Sequence, residues 1–227
     1  GLSFTGNNPI AAQIKNVTLT TGVDTITGKV GSDVITGQTG GVGATLTSLD
    51  SIDGGAGADS LTINDLDVLG TGIPAGVTIK NIETINLSSA GVAKIDTSTT
   101  ALTGLTTLNI LTSTGADNII AGAGQAVTVF DTAGKVTLSG GSTQTVTTSG
   151  GVALDKATGA ITVTDIAQGA AVTTINDGTT VTLTNTGTIS GGGTTGTITV
   201  GGVTKPSGAV AITQNLTGDA TYAAAVT

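Results

Sequence analysis

Residues 54–62 read GGAGADSLT. Three glycines surround one carboxylate, and an aliphatic residue, Leu61, follows two places after Asp59. So much backbone freedom around a single charge marks a turn that must aim its backbone groups, because glycine reaches positive φ at little steric cost. Outward from this stretch the arrangement returns. TTGVDTITG (20–28) is followed by KVGSDVITG (29–37), which sets Gly22 and Gly31, Asp24 and Asp33, and Ile26 and Ile35 nine residues apart. Asp50 and Asp59 repeat that interval within SLDSIDGGAGADSLTINDLD (48–67), a stretch that also holds Asp53. TGADNII carries Gly115 and Asp117 in the same Gly-x-Asp-x-aliphatic order. Repetition at a short fixed period is the sequence mark of a solenoid whose coils stack.

The composition agrees. Among 227 residues there are 37 Gly and 49 Thr, and no His, Cys, Met, Trp or Arg. The aromatic residues are Phe4, Phe130 and Tyr222. β-Branched residues favour strands and glycines mark turns, so an all-β fold is expected. A core of small aliphatics suits a narrow coil better than a thick sandwich. A mean hydropathy of +0.36, with apolar residues alternating with Thr, argues for a folded chain.

Four segments follow along the chain. Residues 1–15 read as an N-terminal arm or cap, with a turn at Asn7-Asn8-Pro9. Residues 16–125 hold the glycine–aspartate repeats and the alternating stretches GVTIKNIETINLSSAG and GLTTLNILTSTGADNIIAG, which read as strand pairs. Residues 126–202 run as short strands at roughly ten-residue spacing, a pattern of sandwiches, barrels and β-helices. Gly191-Gly192-Gly193 reads there as a joint or wide turn. Residues 203–227 read as a C-terminal strand and cap.

The chemistry of the repeats is that of a hard cation. Ca²⁺ takes about 6–8 oxygen ligands from carboxylates, carbonyls and waters. A tight turn supplies them when its glycines aim carbonyls inward and its aspartate adds charge, while the following aliphatic residue anchors the turn to the coil. Residues 54–62 match the nonapeptide GGxGxDxUx, with U aliphatic, found in calcium-binding parallel β-helices. The candidate ligands are Asp24, Asp33, Asp50, Asp53, Asp59 and Asp117, in turns shaped by Gly22, Gly31, Gly55, Gly57 and Gly115. Neighbouring turns share a site in such rolls, so Asp24 with Asp33, and Asp50 or Asp53 with Asp59, are the expected pairs. The competing reading is that an aspartate only closes its turn through its side chain. It is preferred for Asp155, Asp165, Asp177 and Asp219, which lack the flanking glycine pattern of the repeats. The fold expected is therefore an all-β parallel β-helix or β-roll solenoid with short glycine-rich calcium-binding turns.

Three stretches, VTLTTGVDTITGKVGSDVITG (17–37), LTSLDSIDGGAGADSL (46–61) and GIPAGVTIKNIETINLSS (72–89), resemble the repeats-in-toxin (RTX) surface-layer proteins of Gram-negative bacteria, of the Caulobacter type. The resemblance covers residues 16–125. It implies a secreted, extracellular, calcium-binding β-solenoid at the bacterial cell surface. It also implies calcium-dependent self-assembly into an S-layer and export by a type I system with a C-terminal signal. The alternative is a filamentous matrix or biofilm protein, or an RTX adhesin fragment. The partner expected is the chain itself, with a cell-surface polysaccharide as a second candidate.

Other functions lack their residues. With a net charge of −8 and seven scattered Lys, nucleic-acid binding is not expected. No apolar run approaches the ~18–20 residues of a spanning helix, so membrane insertion is not expected either. Catalysis on a sugar polymer wants paired carboxylates in a cleft and a base, with aromatics for the rings. The sequence has no Arg, His or Trp, so a non-enzyme is expected. The alternating Thr of VTLTNTGTI (181–189) is a candidate hydroxyl array for ice, but irregular in register. No signal-peptide pattern opens the chain, and its start at Gly1 is expected to mark a processed product or a piece of a longer protein.

Overall fold

The computed structural model describes residues 15–166, 171–189 and 196–218. The Gly191–Gly193 joint, the arm before Lys15 and Asp219 lie outside the described residues. The described chain is all-β, with no helix. The first seven strands are β1 (Asn16–Thr18), β2 (Thr25–Thr27), β3 (Val34–Thr39), β4 (Ser51–Asp53), β5 (Ser60–Asp65), β6 (Thr78–Lys80) and β7 (Thr84–Ser89). Then come β8 (Lys94–Asp96), β9 (Leu102–Thr103), β10 (Thr107–Ser113), β11 (Asp117–Ala121), β12 (Ala126–Asp131) and β13 (Val136–Gly140). The last are β14 (Thr143–Thr148), β15 (Val152–Ala157), β16 (Ile161–Asp165), β17 (Thr173–Asp177), β18 (Val181–Ile189), β19 (Ile198–Val200) and β20 (Val210–Gly218).

These strands make three parallel sheets, and the chain winds between them as a β-solenoid. One long sheet runs β1-β3-β5-β7-β10-β12-β14-β16-β18-β20. The return strands of the N-terminal half form a second sheet, β2-β4-β6-β9, and those of the C-terminal half a third, β8-β11-β13-β15-β17-β19. The coil from β7 to β10 carries one strand of each return sheet, so the second sheet ends where the third begins. GVTIKNIETINLSS is thus not a strand pair: β6 and β7 are successive sides of one coil in different sheets.

The register explains the sequence periods. Asn16 pairs with Val34, 18 residues on, so the first coil is two nonapeptides. Val34 pairs with Ser60, and Ala126 with Thr143, so coil length changes from 26 to 17 residues along the stack. Alternation in the long sheet sends two aliphatic columns inward. One includes Ile35, Leu61, Ile85, Leu108 and Val127; the other Ile63, Leu87, Ile110, Val129, Val146, Val163 and Leu183, all buried. Each such side chain contributes roughly 1.5–3 kcal/mol over its exposed state. At the end of the long strands the interior turns polar: Thr39, Asp65, Ser89, Ser113, Asp131, Thr148, Asp165 and Asn185 are all buried. This third line marks the corner where the chain leaves the long sheet.

Candidate metal centre

The glycine–aspartate turns occupy two corners of the first coils, and each corner holds its own carboxylate ladder. Turns 28–33 and 54–59 lead into β3 and β5. There the Asp33 amide donates to Asp59 Oδ1 at 2.6 Å, and the Asp59 amide to Glu83 Oε2 at 2.7 Å. The Lys15 amide donates to Asp33 Oδ1 in the same way. Each carboxylate thus accepts from the equivalent position one coil earlier. The other corner precedes β2 and β4, where the Asp24 amide donates to Asp50 Oδ1 at 2.9 Å.

This rearranges the expected pairs. Asp24 and Asp33, nine residues apart, stand on different corners of one coil, because a coil is two nonapeptides long. Asp24 pairs instead with Asp50, and Asp33 with Asp59. Asp53 stands at the end of β4 near Asp59, and its Oδ1 accepts from the Gly55 amide at 3.0 Å and from Asn81 Nδ2 at 2.8 Å. The glycines divide as well. Gly55 and Gly57 adopt positive φ, 90° and 153°, whereas Gly22, Gly31 and Gly115 do not. Gly115 is required for close approach, since a Cβ there would stand 2.6 Å from Val92 Cγ2.

Most candidate carboxylates are satisfied by the protein. Asp24 accepts from the Thr20 amide at 2.7 Å and from Thr20 Oγ1 at 3.0 Å. Asp50 Oδ2 accepts from the Thr47 amide at 2.7 Å. Asp33 Oδ2 accepts from the Lys29 amide at 2.5 Å. Asp117 accepts from the Ala93 amide at 2.8 Å and from Ser113 Oγ at 2.6 Å. At these four positions the aspartate does what the turn-closing reading requires.

Asp59 differs. The residue is buried, and its Oδ2 has no hydrogen-bond partner. A Cβ on Gly54 would stand 2.7 Å from that oxygen and 2.0 Å from the Asn81 carbonyl oxygen, so only glycine lets the turn pack this closely against both. Burial raises the Asp59 carboxyl above its ordinary value of 3.8, and the charges of Glu83, Asp33 and Asp53 push the same way. The Asp33 amide pulls it back. Among the described residues no three acidic, His or Cys side chains gather as a ligand set. A cation at this corner would therefore depend on carbonyl oxygens as well as carboxylates, which a hard ion accepts. A cavity of about 510 Å³ lies elsewhere, at the hand-over between the return sheets beside Lys94, Asp96 and Asn118. It includes none of the glycine–aspartate turns, and the chemistry favours the corner over the larger space.

Sequence reading missed Glu83 and Asn81, which lie outside any nonapeptide. It also missed Asp131, buried at the end of β12, whose Oδ1 accepts from the Ala133 and Gly134 amides. Burial raises the neighbouring Asp117 carboxyl to about 7, with the Asp131 charge adding to the rise; the bonds from Ser113 and Ala93 oppose it. The folded chain then holds a proton that the unfolded chain releases near 3.8, so this group's stabilisation is complete below that value and is lost as pH rises towards 7. The melting temperature is expected to fall between pH 5 and pH 8. Asp117→Asn should flatten that slope, removing on the order of 1–2 kcal/mol of pH dependence, as thermal melts across this range would record.

No protein-family model matches the chain, and no curated protein matches it.

Proposed function

We propose that this protein is a structural, self-assembling, calcium-binding component of a bacterial surface layer that folds outside the cell. The observation that supports it most is the buried, unpartnered Asp59 Oδ2, which with the Asn81 carbonyl oxygen packs against Gly54. Asp59 and the Asn81 carbonyl would hold the ion, with Asp53 beside them, and a bound Ca²⁺ would offset the charges of Glu83, Asp33 and Asp53 around Asp59. The chain's own residues do the remainder. The ladder from Lys15 through Asp33 and Asp59 to Glu83 ties four successive levels of one corner together. In a stack where each coil meets only its neighbours, tightening one interface stabilises the array. Binding energy at the corner then becomes folding energy.

Circular dichroism and light scattering during a Ca²⁺ titration, followed by chelation, test this reading. A rise in β signal and melting temperature, then particle growth reversed by chelator, is the expected result. Electron microscopy of the particles separates a two-dimensional layer from fibres. A β fold indifferent to both ion and chelator would sink the proposal and leave the aspartates as turn closers.

A further inference from the structure

The last strand of the stack carries a self-complementary pattern. β20 pairs with β18 along all nine of its residues, from Val210 to Gly218, and no described strand lies on its other edge. Its burial reads the same in both directions about Gln214. Ile212, Gln214 and Leu216 are half-buried, and the six residues between and beyond them are exposed. Ile212 continues the interior column that is fully buried at Leu183, and no described strand follows β20 to cover its apolar side. Gln214 stands beside Asn185 in register, yet its Nε2 is shielded from solvent without a partner.

The charge pattern selects the partner. Residues 206–218 carry no ionisable side chain in a chain of net charge −8. In a two-fold interface, residues near the axis meet their own copies, so a charge there would oppose itself and a neutral edge is suited to the contact. The opposite end of the stack is a poorer match: β1 has three residues, and its coil carries Lys15, Asp24, Lys29 and Asp33.

We propose that β20 pairs antiparallel with β20 of a second copy, centred on Gln214. Ile212 then faces the partner's Leu216, Val210 faces the partner's Gly218, and Gln214 faces its own copy on the axis. An unpaired edge is a ready template for such addition. The proposal rests on the self-assembly reading and supplies one of its contacts.

The chain has no cysteine, so single-cysteine variants report the register directly. Directly opposed residues of an antiparallel pair have Cα atoms about 4.5–5.5 Å apart, within the span of a disulfide. Under mild oxidation Gln214→Cys is expected to convert most of the protein to a linked dimer. Val210→Cys, opposite glycine, is expected to stay monomeric on denaturing gels. At calcium concentrations below the onset of particle growth, sedimentation of the unsubstituted chain should give a monomer–dimer equilibrium and no open-ended series. A monomer at every concentration overturns the proposal and leaves the edge to the chain's own residues 219–227. An open-ended series, or equal cross-linking at both positions, overturns the antiparallel register. Calcium-driven particles without Gln214→Cys cross-linking would refute this contact and leave the surface-layer reading standing. A linked dimer without particles would do the reverse.

Discussion

Gly54→Ala is expected to lower stability by about 3 kcal/mol or more, the upper range for forcing atoms into a packed site, or to prevent folding altogether. The new methyl carbon would stand 2.0 Å from the Asn81 carbonyl oxygen and 2.7 Å from Asp59 Oδ2. Neither can retreat easily, since one is backbone in the adjoining coil and the other belongs to the ladder. Gly28→Ala meets the same obstacle one coil earlier, 1.8 Å from the Gly54 carbonyl oxygen. Gly124→Ala is the control. Nothing lies within 4 Å of its added carbon, and its φ is not positive, so a change within about 0.5 kcal/mol is expected. Denaturant melts of the three variants compare them. Equal stability of Gly54→Ala and Gly124→Ala would show that the corner is looser than described.

Asp59→Asn separates the ion from the ladder. The variant keeps an oxygen for the Asp33 amide and loses the charge on the buried, unpartnered side. Without calcium it should be as stable as the parent or more so, because a desolvated carboxylate beside Glu83, Asp33 and Asp53 is relieved. With calcium the parent should gain about 2.7 kcal/mol at a hundredfold excess over the dissociation constant, and the variant should gain little. Asp177→Asn supplies the contrast: Asp177 Oδ2 accepts from the Lys156 amide at 2.8 Å, away from the corner. Its amide oxygen can still accept from Lys156, so its effect should stay within about 0.5 kcal/mol and be the same with and without the ion. Paired thermal melts in calcium and in chelator give all four numbers. A calcium gain undiminished in Asp59→Asn would remove Asp59 from the centre.

The solenoid was legible because its signal is local. Gly22/Gly31 and Asp24/Asp33 repeat within one coil, and the alternation of Ile, Leu and Val with Thr declares strands with one face inward. Pairing across coils was not legible. The nine-residue interval suggested that Asp24 and Asp33 meet, yet which side chains meet depends on coil length, and that varies. Loops 40–50 and 66–77 lengthen the second and third coils, so Asp33 meets Asp59 26 residues on, and Asp59 meets Glu83 24 residues on. No fixed period links the three. Glu83 also sits in NIET, without a flanking glycine, so nothing local separates it from an ordinary solvated acid. The polar interior line was hidden for a similar reason. Asp65 and Asp131 follow alternating apolar stretches that carry no mark of a corner, and burial there is a property of the stack.

The ladder also has a direction. Asp33 serves the amide of Lys15, Asp59 that of Asp33, and Glu83 that of Asp59. Every carboxylate therefore secures the level before it, and no level at this corner is finished until the next one along the chain is in place. The asymmetry of a hydrogen bond, repeated over these four levels, gives the corner a polarity: the amide of each level is held by a carboxylate reaching back from the next, so the two ends of the ladder are chemically unlike.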